Sequence, residues 1–275
     1  MKLVLHKKII LIAGPTASGK SKLAVRIAKK INGEIINADS MQVYKEFSIL
    51  SSRPKYLELK MINHHLYGFI SAKKYFSTGS WLELVKETID KILKKKKIPI
   101  IVGGTGLYFN AITKGISKIP EIDQKKRKNI RELHDKIGQT EFYKRLIKID
   151  PLSKKKISQS DSQRTIRAFE VKMITKKSLY KWISNTKSDF LNYDIKKIFL
   201  NIPRDQLLKK IEKRTEQMLS NKSSLNEVKN FIKLEIDKSL SANKLIGVKE
   251  ITEYLNGNID LDRARELINI KTRQY

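Results

Sequence analysis

Hydrophobic and polar positions in the N-terminal part of the chain alternate between two periods. Residues 7–13 (KKIILIA) form a short apolar run rich in β-branched side chains, which predicts a strand buried on both faces of a parallel sheet. From Lys20 to Ile31 the period becomes helical, with Leu23, Ala24, Ile27, Ala28 and Ile31 on one face. Asn32 and Gly33 follow, two residues that tolerate the left-handed conformation in which helices end. Residues 34–37 (EIIN) predict a second strand, with Ala38, Asp39 and Ser40 just past its C-terminal end. Residues 81–93 predict an amphipathic helix, and residues 97–102 (KIPIIV) a third strand running into Gly103, Gly104, Thr105 and Gly106. Strands alternating with helices in this way indicate a parallel sheet covered on both faces.

Beyond about Pro120 the pattern changes. Residues 124–149 and 160–174 are helical in period, polar and basic, with no strand signal. A further buried strand is expected over 196–201 (KKIFLN), then a long helix from about Arg204 to Leu219 and a helical pattern from Ala242 to Tyr275. The expected architecture is an α/β core, residues 1–119 and 191–275, interrupted by a mostly helical insertion over 120–190. The apolar run at 9–13 is far too short to span a bilayer and meets a glycine-rich loop at once, so neither a membrane partner nor a secretory leader is expected. The absence of cysteine excludes disulfides and thiolate metal sites and agrees with a cytoplasmic setting. The net charge is +30, from 58 basic residues of which 12 are Arg. Such a surface attracts polyanions, nucleic acid first. A codon bias toward Lys, Ile and Asn produces the same profile, so charge alone leaves the partner open.

The junction between the first strand and the first helix carries the first specific chemistry. Gly14, Pro15, Thr16, Ala17, Ser18, Gly19, Lys20 and Ser21 (GPTASGKS) satisfy G-x-x-x-x-G-K-[ST] in the context that gives the pattern meaning. Glycines let the backbone curl until its N–H groups point at phosphate oxygens, and the helix N-terminus adds a partial positive charge. Lys20 supplies a mobile cation, and the Ser21 hydroxyl is placed to ligate Mg²⁺. The core is therefore expected to be P-loop NTPase-like. ATPases, kinases and transferases all use this loop, so it does not name the phosphate ester. Open parallel sheets bind ligands beyond their strand ends, where Asp39 and Thr105 also lie. Asp39 suits a Mg²⁺ ligand, a general base or a helix cap, and Thr105 suits a turn hydroxyl. His64 and His65 are adjacent with no further ligand cluster, which favours a structural role over a metal site.

Six segments stand in one order and spacing: GPTASGKS (14–21), NADSMQVYK (37–45), HHL (64–66), VGGTGLY (102–108), QRTIRAFEV (163–171) and IGVKEITEYLNG (246–257). With TRQY at 272–275 they resemble the motifs of the bacterial tRNA dimethylallyltransferase (tRNA isopentenyltransferase) family, from about residue 8 onward. The resemblance implies transfer of a dimethylallyl group from dimethylallyl diphosphate to N6 of adenosine-37. That base lies beside the anticodon of tRNAs reading codons that begin with U, and Mg²⁺ is required. The phosphate loop, with Arg204, would then hold the departing pyrophosphate, and Ser21 the metal. Asp39 becomes the base that takes the N6 proton, and Thr105 hydrogen-bonds near the adenosine. Asp39, Ser40, Met41, Gln42, Thr105, Arg127, Gln163, Arg164, Thr165, Ile166 and Arg167 carry over as tRNA-contacting positions, with the helical insertion as a clamp on the anticodon stem-loop. Arg214 reads as a second diphosphate ligand or a solvated residue, and His64 and His65 as structural or site-lining.

The chain departs from the family pattern in three places. An IGTAKP-like string is replaced by residues 48–54 (SILSSRP), so Leu50 stands for the glycine and Arg53 for the lysine. Residues 224–228 (SLNEV) lack the glycine of GLxxEV, and family sequences continue past TRQY with a basic, aromatic-containing segment. A monomer is expected. Two other readings use the same loop: a small-molecule or nucleoside kinase with ATP, and an RNA-binding P-loop protein without transferase activity.

Overall fold

The computed structural model describes residues 7–220, 222–237 and 239–275. The chain divides into two compact units: one runs up to Ala111 and resumes over Asn192–Tyr275, and the other is Ile112–Leu191.

The first unit is built on strands β1 (Lys8–Ala13), β2 (Gly33–Asn37), β3 (His64–His65), β4 (Ile98–Gly103) and β5 (Asp194–Phe199). They form one parallel sheet in the order β3-β2-β4-β1-β5. The apolar runs occupy the centre, where Ile9, Ile12, Ile35, Ile36, Ile100 and Ile101 are inaccessible. The run at 196–201, expected to be buried, instead pairs over Asp194–Phe199 as an edge strand. An edge strand has a neighbour on one side only, so its two lysines and Phe199 remain exposed. Helix α1 (Lys20–Ile31) ends at Asn32 in the left-handed conformation. Gly33 then opens β2, where a side chain would meet Ile100 Cδ1 at 2.7 Å. After α2 (Tyr56–Met61), α3 (Thr78–Lys94) starts where Ser77 Oγ accepts the Ser80 N–H at 3.0 Å. It buries Trp81, Val85, Ile89 and Ile92 along one face. Helix α4 (Gly106–Lys114) follows β4.

The second unit holds α5 (Gln124–Ile149), α6 (Ser162–Thr175) and α7 (Leu179–Ser184). Gly138, at φ 75° and ψ 163°, breaks the helical path inside α5. The core of this unit is Phe142, Leu146, Ile157, Ala168 and Phe169. Buried Asp150 accepts hydrogen bonds from the Ser153 and Ser178 hydroxyls, both at 2.9 Å. Trp182 donates from Nε1 to Thr175 Oγ1 at 3.2 Å.

The chain then returns to the first unit through β5 and helices α8 (Arg204–Leu219), α9 (Lys222–Ile232), α10 (Val248–Leu255) and α11 (Leu261–Gln274). Their apolar faces build a core with Phe47, Leu50, Phe231, Val248, Ile251 and Ile268, in which the rings of Phe47 and Phe231 lie 4.7 Å apart.

Candidate active site at the strand ends

The loop between β1 and α1 curls through two left-handed residues, Ala17 at φ 60° and Gly19 at φ 88°. Such turns aim successive N–H groups into one concavity. Gly19 caps α1 without a side-chain hydrogen bond, so the first N–H groups of that helix also face the loop. Ser18 Oγ is buried and has no hydrogen-bond partner among the described residues. A buried, unmatched hydroxyl in a loop of this shape suits an anionic ligand. Lys20 Nζ folds back onto the Pro15 carbonyl at 3.0 Å, and the Ser21 side chain is exposed at the head of α1.

The exit of β2 is pinned from within. Asn37 is inaccessible, and its Nδ2 donates to the carbonyls of Asp39 at 2.9 Å and Leu66 at 3.0 Å. Its Oδ1 accepts the Asp39 N–H at 2.9 Å, and its backbone carbonyl accepts from Trp81 Nε1 at 3.0 Å. Trp81 is in turn stacked on Tyr108 with ring centroids 3.9 Å apart. Asp39 Oδ1 accepts the Met41 N–H at 2.9 Å. A methyl group placed on Gly104 would stand 4.0 Å from both Asp39 Oδ2 and Lys20 Nζ, and 3.8 Å from the Gly14 carbonyl. The ends of β1, β2 and β4 thus converge on one point. Thr105 ties two of them together. Its Oγ1 accepts the Ser40 N–H at 2.9 Å, and its own N–H donates to the Ala38 carbonyl at 3.2 Å. The Tyr275 hydroxyl also hydrogen-bonds Thr105.

Arg214, from α8, donates to Thr16 Oγ1 in the phosphate loop. Burial lowers the pKa of Lys20, with Asp39 opposing the change and Arg214 adding to it. Burial likewise lowers that of Arg214, against Asp39. Two cations and one carboxylate with little access to water make a site that a polyanion would complete. Burial raises the hydroxyl pKa of Tyr67 and Tyr108, and the Asp39 charge raises each further.

The remaining sequence-derived positions fall into different environments. Arg204 is exposed at the first residue of α8, whereas Arg214 reaches the loop. Met41 packs against the helical core of its unit, and Gln42 Nε2 donates to the carbonyls of Ser51 at 2.9 Å and Ser52 at 3.0 Å. The divergent segment 48–53 is held by Glu227, whose carboxylate accepts the N–H groups of Ser48, Ile49 and Leu50 at 2.8–2.9 Å. Leu50 fills the space above Gly247, and Arg53 lies over Gly68 while donating to the Lys45 carbonyl at 3.1 Å. His65 Nε2 sits 2.7 Å from Glu34 Oε2, and His64 Nδ1 sits 2.8 Å from the Ile62 carbonyl. Neither histidine joins a metal-binding cluster among the described residues.

In the helical unit, Gln163 and Arg164 are exposed on α6, with Arg164 paired to Asp161 at 2.9 Å. Thr165 is fully buried and donates to the Asp161 carbonyl at 2.6 Å, while Ile166 packs against the core, so both face inward. Arg127 and Arg167 both approach Glu170. Sequence patterns give no local signal for Asn37, Tyr67, Glu227 or the contact of Tyr275 with Thr105, because their partners are distant in the chain.

Comparison with known proteins supplies an independent line. The IPP transferase family model matches residues 42–275. The chain is 56% identical to the tRNA dimethylallyltransferase of Pelagibacter ubique, over 98% of this chain and 86% of that protein. It is 43% identical to the tRNA dimethylallyltransferase of Rickettsia massiliae, over 98% and 74% respectively. Among solved structures, the full-length tRNA isopentenylpyrophosphate transferase of Bacillus halodurans is 31% identical with a TM-score of 0.69, covering 98% of this chain and 84% of that one. A eukaryotic dimethylallyltransferase acting on tRNA is 26% identical with a TM-score of 0.82, covering 98% and 67%.

Proposed function

Because the chain belongs to the IPP transferase family, with a P-loop NTPase-like sheet at its core, we propose that the convergence around Gly104 is where it prenylates tRNA. The enzyme transfers a dimethylallyl group to tRNA. In the proposed reaction the donor is dimethylallyl diphosphate and the acceptor is N6 of adenosine-37. The observation that carries this reading is the meeting of Lys20, Arg214 and Asp39 at three strand ends.

The allylic C–O bond breaks as the new C–N bond forms, and pyrophosphate leaves. Negative charge grows on the diphosphate, where loop N–H groups, Lys20 and Arg214 stabilise it. The N6 lone pair is delocalised into the adenine ring, so attack requires loss of a proton, which Asp39 accepts. The Met41 N–H holds Asp39 Oδ1 and leaves Oδ2 toward the reaction space. Adenine must leave its stack to reach this point.

Ser21, exposed at the head of α1, offers one hard oxygen and would be the protein ligand of Mg²⁺. The rest of its coordination would come from water and substrate phosphates. When bound, it neutralises charge on the leaving group. No described helix is long and apolar enough to cross a membrane. The proposed setting is the cytoplasm, with a monomer as the working unit.

The test combines the protein with tRNA, labelled dimethylallyl diphosphate and Mg²⁺, followed by nuclease digestion. N6-dimethylallyladenosine at position 37 is expected. Asp39→Asn, which keeps the shape of the side chain, is expected to lower turnover about 10²- to 10⁴-fold with tRNA affinity retained. Wild-type turnover in Asp39→Asn would remove Asp39 as the base, and a phosphorylated product from ATP would favour a kinase.

A further inference from the structure

Glu170 lies on α6 with its side chain 4% exposed, and three arginines converge on it. Arg167, one turn earlier on the same helix, donates to Oε2 at 3.2 Å. Arg127 and Arg131, one turn apart on α5, bring Nε to 4.0 Å from Oε2 and Oε1 respectively. One buried carboxylate therefore faces three guanidinium groups. None of the three pairs with Glu170 through both arms of its fork, since Arg127 and Arg131 stand beyond hydrogen-bonding distance. Oε1 is buried yet accepts no hydrogen bond among the described residues. An ion cluster that served the fold alone would close these bonds, because a buried carboxylate is costly unless fully matched.

We infer that Glu170 is a positioning residue for tRNA, holding Arg127, Arg131 and Arg167 side by side as a preset platform for backbone phosphates. The inference rests on the reading of the helical unit as tRNA-binding. A guanidinium fork matches two phosphate oxygens, but a free surface arginine loses rotamer freedom when it binds. The direct bond to Glu170 removes much of that loss beforehand for Arg167, and the buried charge draws Arg127 and Arg131 toward the same point. Arg131 and Arg167 are part-exposed, with side chains 47% and 38% accessible, so their outer edges face solvent, while Arg127, 16% accessible, backs them from the inner side.

Charge counting and positioning make opposite predictions for Glu170→Gln. Deleting a negative charge from a phosphate-binding face should tighten tRNA binding. Loss of the anchor instead raises the tRNA Kd and KM about tenfold, with kcat and the KM for dimethylallyl diphosphate unchanged. The slope of log Kd against log salt becomes shallower by about one, and Glu170→Asp retains more affinity than Glu170→Gln. Circular dichroism and melting verify that the helical unit is folded; if Glu170→Gln unfolds it, Glu170→Asp carries the test. Arg127→Ala with Arg167→Ala separates the two ideas. Should that pair leave tRNA binding unchanged, the tRNA reading of this unit falls and the inference with it. Should the pair weaken binding while the Glu170 variant binds as tightly as wild type or more so, the inference alone is overturned.

Discussion

Glu34 occupies the second position of β2, directly before the apolar pair Ile35 and Ile36, and it is inaccessible. Burial alone would raise its pKa. Hydrogen bonds from Lys97, Asn63 and His65, with the nearby charge of Lys95, outweigh burial and hold it at about 2. The folded value lies below the ordinary 4.5, so the stabilisation is fully present above pH 4.5 and disappears as pH falls from there toward 2. A displacement of this size corresponds to about 3 kcal/mol. Glu34→Gln is expected to lower stability at pH 7 and to flatten the acid limb between pH 4.5 and 2, as read by urea unfolding at stepped pH. An unchanged acid limb would show that the cluster contributes nothing. This residue also shows the limit of reading chemistry from sequence. The HHL motif points to structure, and His65 does bind Glu34, but the carboxylate lies some thirty positions earlier with no local pattern linking the two. The places of Asp39 and Thr105 at the sheet's C-terminal edge were legible because each lies two residues past the end of a strand. Arg204 was the expected diphosphate ligand and Arg214 a second ligand or a solvated residue, since α8 repeats basic residues and only tertiary packing turns Arg214 toward Thr16.

At the scale of elements, strand periodicity revealed β1, β2 and β4, while β3, two residues long, has no period to read. The run that became β5 has a buried strand's composition, and its edge position follows from sheet order, which no local window contains. What joins the elements at the site is a backbone contact. A side chain on Gly103 would meet the Ala38 carbonyl oxygen at 2.0 Å and its carbon at 2.2 Å. No rotamer relieves that clash; the exits of β2 and β4 would have to separate, taking Asp39 away from Thr105. Gly103→Ala is therefore expected to cost about 1–3 kcal/mol and to lower turnover in the folded fraction. Gly104→Ala has ordinary contacts at 3.8–4.0 Å and should melt like wild type while still losing activity, because its methyl enters the reaction space. Paired melting curves and turnover measurements check this contrast, and a Gly103→Ala protein as stable as wild type would refute the close approach.

Across the whole molecule, the charge of +30 becomes meaningful only beside a site for one small anion and a partner with many phosphates. Raising salt from about 50 to 200 mM should raise the tRNA KM steeply through counterion release, while the KM for dimethylallyl diphosphate moves little. Equal sensitivity of both constants would mean that the basic surface plays no special part in holding tRNA. The phosphate loop was the most legible part of the protein because its chemistry lies in eight consecutive residues. The aromatic residues beneath the site were less so, although one of them has a practical consequence. Trp81 belongs to the sheet unit, inaccessible and stacked on Tyr108, and Trp182 belongs to the helical unit, half-buried with Lys177 Nζ 4.5 Å above its ring. The chain has no other tryptophan. Its ultraviolet fluorescence therefore divides into two optical channels, one for each unit. Trp182→Phe leaves an emitter two bonded contacts away from the Asp39 turn, and Trp81→Phe leaves one that watches the helices, so donor and tRNA titrations can be followed separately without attaching a dye.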